Sequence, residues 1–251
     1  MTLASTARTH VGHVRVLNED RFLDRPEAGL FAVVDGMGGH RGGDQAAQSV
    51  VDALRQLGNA REDVSPDKVI AALTRANRLI HQRNMATGEQ AGATVVAAHV
   101  EGDTMHLAWV GDSRCYHIGR GAVRQLTRDH SVVQELVDAG LLTPSGAERH
   151  PQANVVTRAL GIGALCEVET RRVPISLDDR ILLCSDGLSR SLRPADLTDA
   201  PLEVLANMLL DQALARDGSD NISLVLIEAD RGHERDGRQA GGTRNDHNTA
   251  R

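Results

Sequence analysis

The stretch FAVVDGMGGHRGGD, from Phe31 to Asp44, joins an apolar run to an aspartate and a glycine-rich loop. The apolar residues FAVV predict a buried strand that ends at Asp35. Five glycines follow between residues 36 and 43, and glycine lets the backbone turn tightly and approach other groups closely. The stretch therefore predicts a carboxylate at a strand end beside accessible backbone, with Asp44 at the start of a covering helix.

Composition and charge narrow the class of protein. Of the 251 residues, 41% are hydrophobic and 25% are charged, which is ordinary for a globular chain. The net charge of −6 and the pI near 6.0 give no reason to bind nucleic acid or an anionic membrane. No run approaches the ~18 apolar residues that a membrane span needs. We expect a cytoplasmic monomer.

The cysteines and the C-terminal residues bear on domain organisation. The chain has three cysteines, and Cys115, Cys166 and Cys184 lack the spacing of a disulfide framework or a zinc site. Residues 1–230 are predicted to form one domain, because no linker divides them. Residues 231–251 are almost without apolar side chains and are predicted to be a disordered polar tail.

Helical periodicity predicts amphipathic helices with apolar residues on one face. They cover residues 44–57 and 65–82. A shorter helix that stops at a glycine is predicted at 131–140, and a late long helix at 201–216. Ser65 suits the N-cap of the second helix and Pro66 suits its first turn. We expect the long helices to cover a sheet.

Short turns between consecutive strands predict the sheet type. Beyond residues 31–34, strands are predicted at 92–100, 104–110, 114–118, 122–126, 167–173, 180–184 and 221–228. The turns at 101–103 and 119–121 are too short for a parallel crossover, so they join antiparallel hairpins. The sequence predicts an α+β protein in which helices cover largely antiparallel sheets.

Four apolar strands carry an aspartate at one end: Asp35, Asp112, Asp186 and Asp220. Carboxylates brought together would raise each other's pKa unless a cation neutralised them. Oxygen ligands without a Cys or His cluster favour Mg²⁺ or Mn²⁺. Any one of these aspartates is also typical of a turn, and it is their recurrence that favours a metal site.

A further group of charged residues lies in HVRVLNEDRF, which contains Arg15, Glu19 and Asp20. A guanidinium matches phosphate oxygens in a bidentate manner, and acids a few residues away can bind metal. The alternative is an exposed, charged strand end.

Eight motifs, taken in order, resemble the metal-dependent Ser/Thr protein phosphatases of the protein phosphatase 2C (PPM) family in its bacterial form. The resemblance runs from Arg8 to Glu228. The motifs are RVLNED, VVDGMGGHRGGDQAA, GATVV, LAWVGDSRCY, LTRDHS, HPQANVVTRALG, LLCSDGLS and GSDNISLVLI.

The resemblance implies a four-layer αββα sandwich and an activity. Two central antiparallel sheets would lie between helix pairs, in agreement with the hairpins. The implied activity is hydrolysis of phosphoserine and phosphothreonine on proteins, opposing a bacterial Ser/Thr kinase, with that kinase and its substrates as partners. Gly140 to Gly161 corresponds to the family's variable flap beside the site, where part of the substrate selection is expected.

The resemblance also implies a centre of two Mn²⁺ or Mg²⁺ ions. The matched ligands are Asp35 bridging both ions, Asp186 and Asp220 on the first ion, and Asp20 with the backbone carbonyl of Gly36 on the second. Glu19 would join directly or through water. Asp112, with Asp186, would support a third and weaker ion.

The implied chemistry assigns roles to the basic residues. A phosphomonoester needs positive charge on its phosphoryl oxygens and a deprotonated water in line with the leaving oxygen. The resemblance implies that the ions activate this water and that Arg15 binds the phosphate. His40 is predicted to donate a proton to the leaving alkoxide; the alternative is a role in loop structure alone. His130 and His150 are assigned to structure or to substrate approach.

Two other functions were open from the sequence. One is a phosphatase of the parallel α/β kind with a nucleophilic aspartate, which the hairpins disfavour. The other is a catalytically inactive relative that acts as a binding module, which the presence of Arg15 and of the matched metal ligands disfavours.

Overall fold

Two antiparallel sheets stack face to face at the centre of the protein. The computed structural model describes residues 1–38, 42–58, 61–119 and 122–230, apart from the side chain of Arg61. The strands are β1 (Thr2–His10), β2 (Arg21–Arg25), β3 (Leu30–Met37), β4 (Gly92–Glu101), β5 (Thr104–Val110), β6 (Arg114–Gly119), β7 (Ala122–Gln125), β8 (Glu169–Pro174), β9 (Arg180–Cys184) and β10 (Ile222–Asp230).

Each sheet has five strands within the described ranges. Sheet I has the order β1-β10-β9-β6-β7, and sheet II has the order β2-β3-β4-β5-β8. Every described pair of neighbouring strands is antiparallel. The prediction from the short turns is confirmed, and the parallel α/β architecture of the alternative phosphatase is excluded.

Helices cover the outer faces of both sheets. They are α1 (Gly42–Arg55), α2 (Pro66–Thr87), α3 (Val132–Asp138), α4 (Pro144–Ala147), α5 (Asp186–Ser189) and α6 (Leu202–Arg216), with 3₁₀ turns at Arg61–Asp63 and Pro194–Asp196. Helices α1 and α2 lie on sheet II and α6 lies on sheet I, so the predicted αββα layer order is confirmed. No helix in the described ranges has both the length and the hydrophobicity needed to cross a bilayer.

The central strands are buried on both faces, which explains their uninterrupted apolar sequences. In β3, Leu30, Ala32 and Val34 pack in a cluster with residues of α1 and α2. Phe31 and Val33 point the other way, into a second cluster between the sheets. Because side chains alternate along a strand, β4, β9 and β10 divide their apolar residues in the same manner.

Helix α2 begins at its sequence signal, whereas α1 begins at Gly42, two residues before the start predicted at Asp44. The Ser65 side chain accepts a hydrogen bond from the Lys68 N–H, which caps α2, and Pro66 is in the first turn. Gly88 ends α2 in the left-handed conformation, with φ of 74°. The helix thus extends beyond the predicted end at residue 82, because nothing before Gly88 interrupts it.

The first strand, Thr2–His10, is one that the sequence pattern does not predict. It pairs with β10 at the edge of sheet I, and only Leu3 and Thr6 are buried. Because so few side chains of this edge strand are buried, its sequence does not show the alternation of apolar and polar residues that would have predicted it. The strand predicted at 167–173 begins at Glu169 instead. The predicted tail, residues 231–251, lies outside the described residues, so its disorder stays a prediction.

The cluster between the sheets carries a prediction for stability. Phe31 is fully buried there, and replacing it with alanine leaves a cavity as well as removing apolar burial. We expect Phe31→Ala to lower the free energy of unfolding by about 3–5 kcal/mol, measured by urea denaturation. Met85→Ala, at a position that is 75% exposed, is the control and should change it by less than about 0.5 kcal/mol. Equal effects would show that Phe31 is not a central packing residue.

Candidate active site

Antiparallel topology brings the strand-end aspartates to one end of the sandwich. Because β2 and β4 run opposite to β3, and β5 runs opposite to β4, the start of β2 lies beside the ends of β3 and β5. The start of β10 lies beside the end of β9 for the same reason. Asp20, Asp35, Asp112, Asp186 and Asp220 stand at or next to these termini.

Asp20 and Asp35 stand at neighbouring strand ends, where Asp20 is buried and Asp35 is partly buried. Burial raises the pKa of Asp20 to about 7, with Asp186 and Asp220 adding repulsion. The pKa of Asp35 is also well above its ordinary value, first because of burial and then because of the charges of Asp20, Asp186 and Asp112. These mutual effects show that the carboxyl groups lie close to one another in a poorly solvated space.

Asp112 belongs to the same electrostatic group. It lies in the turn after β5, and its residue is 8% exposed. Burial raises its pKa to about 7, and Asp186 is the strongest charged neighbour. The adjacent Ser113 hydroxyl shares a hydrogen bond of 2.8 Å with the Thr94 hydroxyl, and Thr94 is paired with Asp35 across β3 and β4. Asp112 is thereby tied to the strand that carries Asp35.

Two arginines partly neutralise this negative charge. Arg15 forms a bidentate ion pair with Asp220. Its Nη2 lies 2.9 Å from Oδ2, and its Nε lies 2.9 Å from Oδ1. Arg190 forms an ion pair with Asp186 and lies 3.8 Å from Asp220 Oδ2. Both guanidinium groups are partly exposed, at 53% and 29%. They can therefore meet an anion that arrives from solvent.

Glu19 and the glycine loop meet in direct backbone contact. A Cβ atom on Gly36 would lie 2.2 Å from the Gly43 carbonyl oxygen and 2.8 Å from that of Glu19. A Cβ atom on Gly43 would lie 2.6 Å from Glu19 Oε1. Only glycine allows this approach, which brings the first turn of α1 against the strand end that carries Asp35.

Two polar residues that sequence reasoning missed hold the acids in place. Ser185 donates a hydrogen bond of 2.8 Å to Asp20 Oδ2 and accepts one from the Ser223 N–H. Asn221 accepts from the Glu19 N–H at 2.8 Å and donates to the carbonyls of Val11 and Leu17. Ser185 and Asn221 are next to Asp186 and Asp220 in sequence, which was the one signal that they belong to the site. The sequence does not show that their hydrogen-bond partners are Asp20 and Glu19.

The donor set fits hard divalent cations. Glu19 Oε1 and Asp20 Oδ1 are buried, and no residue in the described ranges donates a hydrogen bond to either atom. Among the same residues, no three His, Cys, Asp or Glu side chains already form a complete ligand set around one point. Carboxylate oxygens without nearby sulfur or imidazole ligands are the donors that Mg²⁺ and Mn²⁺ prefer, and a cation would satisfy the two oxygens.

The histidines predicted to serve the site have different positions. His40 lies outside the described residues. His130 is buried and has a structural role. Its Nδ1 accepts a hydrogen bond from the Gly111 N–H at 3.0 Å, and its Nε2 lies 2.8 Å from Glu169 Oε2. It therefore supports the turn that carries Asp112. His150 lies in the flap, where its Nδ1 accepts from the Gln152 N–H.

Comparisons with known proteins agree with this geometry. The family model for protein phosphatase 2C matches residues 9–221. The serine/threonine phosphatase stp of Listeria innocua is 33% identical over 239 residues, which cover 88% of this chain and 94% of that protein.

Solved structures have the same architecture. That of the Mycobacterium tuberculosis serine/threonine phosphatase PstP/Ppp has a TM-score of 0.86 at 33% identity and covers 92% of this chain and 100% of that chain. The catalytic domain of PstP in complex with two manganese ions has a TM-score of 0.81 at 32% identity, with coverage of 90% and 98%. Since the family model spans most of the chain and these relatives are similar along nearly all of it, the chain belongs to the protein phosphatase 2C family.

Proposed function

We propose that the protein hydrolyses phosphoserine and phosphothreonine on other proteins, with two Mn²⁺ or Mg²⁺ ions in its active site. The observation that carries the proposal is the convergence of buried carboxyl groups and two arginines at one end of the sandwich. Membership in the protein phosphatase 2C family, and the two manganese ions bound by PstP, support it.

Each acidic residue has an assignment within this proposal. Asp35 bridges the two ions. Asp186 and Asp220 hold the first ion, and Asp20 holds the second together with the backbone carbonyl of Gly36. Glu19 joins directly or through water, since its Oε1 is buried and receives no hydrogen bond from the described residues. Asp112 and Asp186, which are strong charged neighbours, support a third and weaker ion.

Arg15 is assigned to the phosphate. Its guanidinium forms a bidentate pair with Asp220, and the hydrogen bond to Asp220 raises its pKa, so it is positively charged when substrate arrives. The same planar fork matches two phosphoryl oxygens. The bound ions supply further positive charge and lower the pKa of the attacking water. No side chain is assigned as a nucleophile, and hydrolysis proceeds without a phosphoenzyme.

The cellular setting follows from this activity as a proposal. The partners are phosphorylated proteins and the Ser/Thr kinase that modifies them. We also propose a monomer in the cytoplasm that does not bind nucleic acid, in line with the acidic net charge of −6.

The assignment of Asp35 has a direct test. Asp35→Asn should lower hydrolysis of p-nitrophenyl phosphate and of a phosphothreonine peptide by at least about 100-fold, because the amide cannot bridge two cations. Wild type should need Mn²⁺ or Mg²⁺ and lose activity in EDTA. Asp24→Asn, in the same sheet, is the matched control and should remain active. Full activity of Asp35→Asn with a native circular dichroism spectrum would refute the assignment.

The buried carboxyl groups predict how pH acts on the metal-free protein. Asp20 and Asp112 have pKa values of about 7 in the folded protein and about 3.9 when unfolded. The folded state therefore binds more protons between pH 4 and 7, and stability falls as pH rises through this window. In EDTA, the melting temperature should be lower at pH 7.5 than at pH 5.5.

The same carboxyl groups predict the effect of added metal. Cations replace the protons, so Mn²⁺ should raise the melting temperature by more degrees at pH 7.5 than at pH 5.5. Asp20→Asn should show a weaker pH dependence in EDTA, because its side chain does not titrate. A metal-induced shift that is the same at both pH values would contradict binding by these carboxylates.

The role of His40 stays a prediction, and leaving-group chemistry tests it. p-Nitrophenolate leaves without a proton, whereas the alkoxide of threonine needs one. His40→Gln should therefore slow phosphothreonine-peptide hydrolysis by about 100-fold or more and change p-nitrophenyl phosphate hydrolysis much less. Equal effects on both substrates would favour the structural role.

A further inference from the structure

A cleft of about 480 Å³ leads away from the active site along one side of the flap. Asp112, Asp186 and Arg190 are among the residues that line it, so the cleft is continuous with the carboxylate cluster. Its volume falls in the range of about 300–1,000 Å³ that is usual for ligand sites. The cleft is therefore large enough to take side chains of a peptide whose phosphate is at the metal centre.

Apolar side chains line the cleft on two sides, together with polar residues such as Gln134, Glu148 and Asn154. On the flap side they include Val137 of α3 and Ala147 of α4, and on the sandwich side they include Val123, Leu192 and Leu197. The last three are partly buried residues at the margin of the core cluster under α6. An aliphatic side chain placed between these walls would lose contact with water on two sides.

Two charged residues that line the cleft, Arg114 and Asp129, are paired with each other. Arg114 binds Asp129 through Nη2 at 2.7 Å and Nε at 3.0 Å, and its Nη1 donates to the Tyr116 hydroxyl at 3.2 Å. Gln125 Nε2 donates to Asp129 Oδ1 at 3.2 Å. Because these groups satisfy each other, Arg114 and Asp129 offer no free charge to a ligand in this part of the cleft.

Helix α3, which precedes the flap, and helix α4 within it are anchored, but they bury little of their own surface. Helix α3 buries only Val133, and α4 buries none of its residues. The Val132 N–H donates to the Val155 carbonyl at 3.0 Å, and the Thr157 N–H donates to the His130 carbonyl at 2.8 Å. The base of the flap is thus held in place, while the apolar side of the helices faces the cleft.

We propose that this cleft is a specificity subsite that takes an aliphatic side chain of the phosphoprotein, close in sequence to the phosphoserine or phosphothreonine. The inference rests on the proposed phosphatase function, because the bound phosphate is what places the flanking residues at the inner end of the cleft. An extended chain advances about 3.3 Å per residue, so the aliphatic residue lies only a few positions from the phosphorylated one.

The experiment compares phosphothreonine peptides that differ by one side chain. Leucine is placed singly at each of the five positions on either side of the phosphothreonine in an alanine-rich peptide. For the wild type with Mn²⁺, leucine at one or more positions should raise kcat/KM about tenfold over alanine. The same positions carrying glutamate or lysine should show no such gain.

Two variants, one in α3 and one in the flap, test where this preference arises. Val137→Gln makes the wall of the cleft polar and should reduce the leucine-to-alanine ratio of kcat/KM to near one. Val155→Gln changes a valine of the flap that does not line the cleft and is 43% exposed, so the ratio should stay as in wild type. The ratio is independent of the amount of folded enzyme, because both peptides are tested on the same preparation.

The outcomes separate this inference from the proposed function. Hydrolysis of p-nitrophenyl phosphate without a leucine preference at any position would overturn the subsite alone. An unchanged preference in Val137→Gln, or a stronger preference for a charged residue, would overturn it too. If neither p-nitrophenyl phosphate nor any peptide is hydrolysed with Mn²⁺ or Mg²⁺, the proposed function itself fails.

Discussion

The crowding of buried carboxyl groups at one end of the sandwich is the constraint on which the rest of the structure depends. Removing them from water and placing them side by side both oppose ionisation. The protein offsets this with hydrogen bonds from Ser185, a bidentate pair to Arg15 and an ion pair to Arg190. Large apolar clusters on either side of each sheet hold the strand ends together against the remaining repulsion.

Much of the fold was predictable because its signals are local. The period of the apolar residues located α1 and α2, and short turns established that the sheets are antiparallel. The strand-end aspartates were recognisable as a group because each follows or precedes an apolar run. The edge strand β1 was not, because pairing with β10 replaces the burial that would have left an apolar pattern.

The supporting residues of the site could not be found in the same way. Asn221 joins Glu19 to the carbonyls of Val11 and Leu17, which are some two hundred positions away in sequence. Ser185 reaches Asp20 across the interface between the two sheets. Such contacts depend on how the sheets stack, and spacing along the chain carries no information about that. Arg190 was missed because one exposed arginine after a serine resembles any charged surface residue.

The pairing of β1 with β10 bears on when the site can form during synthesis. The two strands match residue for residue from Thr2 with Asp230 to His10 with Ile222. Arg15 follows β1 and Asp220 precedes β10. The ion pair between these two side chains therefore requires nearly the whole domain. Contacts this distant in sequence form slowly. A nascent chain on the ribosome therefore has no complete active site until β10 has emerged.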